Sequence, residues 1–202
     1  MNGSFGVILA GGLATRMGGG DKGALPLGSS TLLSHVIDRL TPQVDGIALN
    51  ANGDGSRFAH LGFPVIADSI DGFAGPLAGV LAGLDWAAEQ GATSIVTGAA
   101  DTPFFPSDLA ARLHREGEGM AYPLVIAATP DPKRGTSCHP TFGLWPVALR
   151  EDLRAALLGG VRKVVQWTDS HDGRLAMFPV DQVDPFFNVN TPEDLAQAEA
   201  ML

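Results

Sequence analysis

The segment VILAGGLATRMGGGDKG, residues 7–23, sets an apolar run ending at Ala10 against a glycine-crowded stretch with two fixed cations, Arg16 and Lys22. Such a loop suits an anion. Gly11 and Gly12 remove side chains where a ligand would approach the backbone, N–H groups there can donate, and the two cations add charge. Two common phosphate motifs do not fit. A P-loop needs Ser or Thr directly after its lysine, whereas Lys22 is followed by Gly23. Gly18, Gly20 and Gly23 satisfy G-x-G-x-x-G in spacing, but that fingerprint must follow its strand directly and open a helix, and here the loop intervenes.

Two carboxylates follow apolar runs in the same manner. Asp68 comes after residues 64–67 and Asp101 after residues 94–100. In an open α/β sheet the ligand crevice lies outside the carboxyl ends of the strands, so both are expected at the same edge as Gly11 and Gly12. Mg²⁺ takes oxygen ligands, commonly one or two carboxylates plus substrate phosphates, and either aspartate suits that use or a strand-end turn. Asn50 and Asn52, in LNANGD, also follow a strand, and an amide that both donates and accepts suits a base edge or ribose hydroxyl as well as a turn.

The second half carries weaker signals. Cys138 and His139 are adjacent, and neighbours on a strand point to opposite faces, which makes a poor nucleophile and base pair. Arg162 and Lys163 follow two glycines at an expected helix start and suit either an anion or solvent. Asn188 and Asn190, two apart, are expected on one face of a strand.

The elements that must position these residues alternate between short apolar strands and helical patterns, which points to βα units around a mostly parallel sheet with helices on both faces. Strands are expected at 5–10, 47–50, 64–67 and 94–100, and helices at 31–41 and 77–90. Beyond about residue 120 the pattern becomes strands in YPLVIAAT, HPTFGLW and RLAMFPV, with short helices at 147–158 and 161–168. In the last helix Thr191 can cap, Pro192 takes the first position and Asp194 can answer the cap. The 202 residues suit one domain, with a first half at about 1–118 and a less regular second half at about 119–202.

Composition restricts the partners. A formal net charge of −9 repels a phosphate backbone, so no nucleic acid is expected, and any phosphorylated ligand must be held locally. No apolar run is long enough for a membrane span. The N-terminus has no secretory-signal pattern and Cys138 is the single cysteine, from which a cytoplasmic location is expected.

The motifs LAGG, RMGGGDKG, NAN, VIADS, GPLAG, ADTPF, HP and FNVNTPEDL, in this order across nearly the whole chain, resemble the molybdenum cofactor guanylyltransferases. The resemblance implies a Rossmann-like nucleotidyltransferase fold. The reaction it implies is transfer of GMP from GTP to molybdenum-bearing molybdopterin, with Mg²⁺ as cofactor and pyrophosphate released. It places Leu9, Ala10, Gly11, Gly12, Lys22, Asn50 and Asp68 at the nucleotide, Asp101 at the Mg²⁺, and Arg16 near the triphosphate. His139, Arg162, Lys163, Asn188 and Asn190 fall in the acceptor-binding half. It also leaves room for proteins that deliver the pterin or receive the product. A sister enzyme using CTP, UTP or another phosphorylated acceptor, and a non-catalytic nucleotide-binding regulator, share the first-half motifs.

Overall fold

The computed structural model describes residues 3–11, 22–70, 72, 75–181 and 183–202. Seven strands form the main sheet: β1 (Ser4–Leu9), β4 (Ile47–Asn50), β5 (Val65–Ile66), β6 (Ser94–Ala99), β7 (Val125–Asp131), β8 (Gly135–Pro146) and β9 (Arg174–Met177). Their spatial order is β5-β4-β1-β6-β8-β7-β9, and a separate two-stranded ribbon pairs β2 (Pro26–Leu27) with β3 (Ser30–Thr31). All pairings in the main sheet are parallel except those that β8 makes with β6 and β7.

The helices are α1 (Leu32–Leu40), α2 (Pro76–Glu89), α3 (Leu109–Glu116), α4 (Arg150–Leu158), α5 (Val164–Ser170) and α6 (Pro192–Glu199). Period-two alternation sends successive strand side chains to opposite faces. Ile8 and Val96 join Leu33, Val36 and Ile37 of α1 and Leu109 and Leu113 of α3 in one core; Val7 and Ile95 join α2, α4 and α5 in the other. Both faces of the sheet are covered, as the apolar strands led one to expect.

Local chemistry explains the element boundaries. Thr31 caps α1 by accepting from the Ser34 N–H at 3.2 Å, and Pro42 sits in the 3-10 turn that ends it. Pro76 opens α2, whose Gly79 and Gly83 lie one turn apart against the sheet. A Cβ at Gly83 would stand 2.8 Å from Val7 Cγ2, so glycine is what allows this helix to press on β1.

Four elements differ from what the sequence pattern predicts. The expected strand at Asn188–Asn190 is an irregular segment outside any sheet, held by the Val189 N–H donating to the Asp101 carbonyl at 2.9 Å. Only residues 174–177 of RLAMFPV pair as a strand, and only 65–66 of 64–67. Helix α3 was not anticipated: it is eight residues long, and its apolar stripe of Leu109, Ala110 and Leu113 is too short for periodicity to stand out. Among the described residues, no helix is long and apolar enough to cross a membrane.

At the amino edge of the sheet a half-buried polar cluster joins three elements. The Ser4 hydroxyl lies 2.7 Å from Ser94 Oγ and 2.8 Å from His114 Nε2. Burial lowers the pKa of His114 below the ordinary histidine value. The folded state therefore binds this proton less readily than the unfolded chain, so stability is greatest above the unfolded value of about 6.5 and declines as pH falls from there through the lowered folded value. We expect the melting temperature to drop across this window and the drop to be smaller in His114→Gln, measured by thermal denaturation between pH 5 and 8; identical profiles for the two proteins would contradict this account.

Candidate active site

Strand order reverses direction at β1. The chain leaves β1 toward β4 and β5 on one side and returns to β6 on the other, and such a switch point opens a crevice at the carboxyl ends of the strands. A cleft of ≈ 480 Å³ lies there, within the size range of small-molecule sites. Its walls come from the ends of β1 (Leu9, Ala10, Gly11), β4 (Asn50, Asn52), β5 (Asp68) and β6 (Ala99, Ala100, Asp101), with Lys22, Gly23, the start of α2, Thr141 and Asn188 completing it. Residues far apart in sequence meet because each sits just beyond a strand. Gly12 and Arg16 lie outside the described residues.

One end of the cleft is charged. Lys22 Nζ donates to Asp101 Oδ2 at 2.8 Å and also to the Asn190 side-chain oxygen. Both partners of the ion pair are mostly shielded, with side-chain exposures of 15% and 22%, so the pair is more than a solvated surface contact. The single proton of the Thr102 hydroxyl is shared between two acceptors, Asp101 Oδ1 at 3.2 Å and the Asn188 side-chain oxygen. Gly23 lets the lysine segment lie close to the sheet: a Cβ there would meet Leu33 Cβ at 3.1 Å and Ala100 Cβ at 3.4 Å.

The terminal helix fixes the asparagine side of this cluster. Thr191 accepts from the Asp194 N–H at 3.2 Å, and Asp194 Oδ2 accepts from the N–H groups of Asn190 and Thr191, each at 2.9 Å, a complete capping box. The Asn190 N–H, more than any other contact, holds the Asp194 carboxyl below the usual carboxylate range. The local signal Thr-Pro-Glu-Asp thus locks the backbone beside which Asn190 reaches Lys22.

The other end is an amide and carboxylate network. Asn50, only 5% exposed, donates through Nδ2 to Asp68 Oδ1 at 3.0 Å, and Asn52 Nδ2 donates to Asp68 Oδ2 at 2.8 Å. Asp68 follows β5 and Asp101 follows β6, strands separated in the sheet by β4 and β1. Asp101 fits a metal that arrives with phosphates: it is a single carboxylate beside a cation. No group of three or more potential metal ligands occurs among the described residues.

The remaining second-half candidates lie apart from the cleft lining. His139 stacks on Phe186, ring centres 4.3 Å apart, with Nε2 2.9 Å from Thr129 Oγ1. Burial lowers its pKa, against a smaller opposing effect of Asp184. Thr141, which the sequence reading did not single out, does reach the cleft. Ile126 and Ala127 of β7 pair with Gly143 and His139, so residues 140–142 of β8 bulge out of the ladder. Pro140, which has no N–H to donate, is the sequence signal for that bulge. Arg162 is exposed and donates to the carbonyls of Leu157 and Val161 at 3.0 and 2.9 Å, closing the end of α4; Lys163 is exposed just before α5. Burial and the nearby Asp169 raise the pKa of the Cys138 thiol, the opposite of an activated nucleophile.

Known proteins match this chain over nearly its full length. It is 54% identical over 198 residues to a protein of Rhodopseudomonas palustris (strain HaA2) named molybdenum cofactor guanylyltransferase, covering 96% of this chain and 90% of that protein. It is 49% identical over 199 residues to a protein of the same name from Nitrobacter hamburgensis, covering 97% and 93%. Among solved structures, a molybdopterin-guanine dinucleotide biosynthesis protein A from Archaeoglobus fulgidus superposes with a TM-score of 0.73 at 24% identity, covering 98% of this chain and 97% of that one. A 4-diphosphocytidyl-2C-methyl-D-erythritol synthase from Anaerococcus prevotii reaches 0.76 at 15% identity, covering 99% and 96%. These two likenesses establish the nucleotidyltransferase fold. The MobA-like NTP transferase domain matches residues 6–181, and with the full-length relatives this shows that the chain belongs to the MobA-like nucleotidyltransferases.

Proposed function

We propose that this enzyme transfers a guanylyl group from GTP to the phosphate of molybdenum-bearing molybdopterin, forming the guanine dinucleotide and releasing pyrophosphate. The observation that carries the reading is the shielded Lys22–Asp101 pair at the carboxyl ends of β1 and β6, inside a cleft of nucleotide size. The names borne by the full-length relatives favour guanylyl transfer over other nucleotides.

The cleft divides the substrate. The nucleoside lies over Asn50 and Asp68 and the triphosphate over Gly11, Lys22 and Asp101; Gly12 and Arg16 are assigned to the triphosphate only by the resemblance. The first half, about 1–118, thus takes the nucleotide. The pterin belongs to the second half, about 119–202, from which Thr141 and Asn188 line the cleft and Asn190 reaches Lys22. His139 lies two residues from Thr141 on the same strand; Arg162 and Lys163 are assigned to the acceptor only by their place in the resemblance. With one cysteine in the chain, we place the reaction in the cytoplasm.

The acceptor phosphate oxygen forms a bond to the α-phosphorus as the bond from that phosphorus to the pyrophosphate oxygen breaks. The attacking oxygen is already anionic, so no proton need be removed, and among the described residues no histidine lines the cleft. Positioning and charge offset then dominate the rate. Lys22 exchanges Asp101 and Asn190 for phosphate oxygens, which frees the Asp101 carboxylate. Mg²⁺ held there would neutralise phosphate charge. The chain's own net charge of −9 makes these local cations the means by which a triphosphate is tolerated.

In an assay of pyrophosphate release with GTP, Mg²⁺ and molybdopterin, Lys22→Ala and Arg16→Ala should each lower turnover by about 100-fold or more, the effect of losing a charged transition-state contact. Rates within a few-fold of wild type in both variants would overturn the assignment. Asp101→Asn should raise the Mg²⁺ concentration needed for half-maximal rate while leaving the melting temperature within a few degrees of wild type. A collapse of the fold would instead mark Asp101 as structural.

A further inference from the structure

We infer that Asn52 is a positioning residue that orients Asp68 as an acceptor for nucleoside hydrogen-bond donors. The inference rests on the proposed nucleotide reading and deepens it. Asn52 holds Asp68 at two points: Nδ2 donates to the carboxylate at 2.8 Å, and Oδ1 accepts from the Asp68 backbone N–H at 2.9 Å. This reciprocal contact fixes the carboxylate relative to its own backbone. Asn50 supplies the second N–H, at 3.0 Å to the other oxygen. Each carboxylate oxygen therefore has one amide donor and retains acceptor capacity, because an ionised carboxylate offers about four lone-pair sites.

Asn52 is itself held from outside the cleft. Its backbone carbonyl accepts from Arg57 Nη2 at 3.0 Å, so the β4 loop stays in place independently of the Asn52 side chain. The Asn50 amide is confined from below: Gly79 leaves space for its oxygen, which a Cβ at that position would overlap. Asp68 is thus set on two amides of different burial, one locked under α2 and one exposed at the rim. Both amides donate to it, whereas Asp101, at the end of β6, is paired with Lys22. The ligand groups that match are O–H or N–H donors, either the ribose hydroxyls or the base edge.

The test compares wild type, Asn52→Ala, Asp68→Ala and the double variant by titration calorimetry with GTP and with tripolyphosphate, both with Mg²⁺. The expected result is a GTP affinity about tenfold weaker in Asn52→Ala, unchanged tripolyphosphate affinity, and no further loss when Asn52→Ala is added to Asp68→Ala, since contacting residues that act as a unit are non-additive. Because Asn52 is exposed, its removal should leave the melting temperature unaltered. Repeating the titration with 2′-deoxyguanosine and inosine triphosphates assigns the donor: the analogue that lacks the group bound by Asp68 loses its sensitivity to Asn52→Ala. Unchanged GTP affinity in Asn52→Ala, an equal loss for tripolyphosphate, or full additivity with Asp68→Ala would overturn the inference while leaving guanylyl transfer intact. Wild-type protein that binds no GTP would overturn both.

Discussion

The reversal of strand order at β1 is the constraint on which the rest of the molecule depends. With β4 on one side of β1 and β6 on the other, the strand order switches at β1, and the crevice expected at such a switch point lies at the carboxyl ends of the strands. The resulting cleft draws one side chain or backbone turn from each of four neighbouring strands. It also gives them different surroundings: Asp101 is paired with Lys22, and Asp68 with the amides of Asn50 and Asn52. In the proposed reading the carboxylate that follows β5 and the one that follows β6 serve different parts of a nucleoside triphosphate.

The two ends of the cleft solve different problems. At the β6 end a strongly acidic protein must accept a polyanion, and the Lys22–Asp101 pair keeps a cation there, partly shielded and already partnered before any phosphate arrives. At the β5 end the problem is orientation, and it is met by amides, which donate without adding charge. The glycines of α2 connect the ends to the core: the helix lies low enough on the sheet to confine Asn50 because Gly79 and Gly83 carry no Cβ.

Much of the first half was legible in the sequence, because its strands are short, apolar and bounded by glycine or proline. The positions of Asp68, Asp101 and Asn50 followed from the rule that ligands bind beyond strand carboxyl ends. What the sequence did not reveal depends on tertiary contacts. Asn188 and Asn190 alternate as a strand would, yet their segment is fixed by one backbone hydrogen bond to Asp101 and by the capping box of α6. Thr141 reaches the cleft through a bulge opposite β7, for which Pro140 is a weak local sign. The link between Lys22 and Asn190 spans most of the chain and leaves no mark in local pattern.

The most direct test of this division is a crystal structure with Mg²⁺ and a non-hydrolysable GTP analogue bound. The account predicts the guanosine against Asp68 and Asn50, the triphosphate on Lys22 at the ends of β1 and β6, and the Lys22–Asp101 contact opened. A nucleotide bound in the reverse direction, with its phosphates at Asp68, or one seated outside the cleft with that ion pair intact, would contradict it.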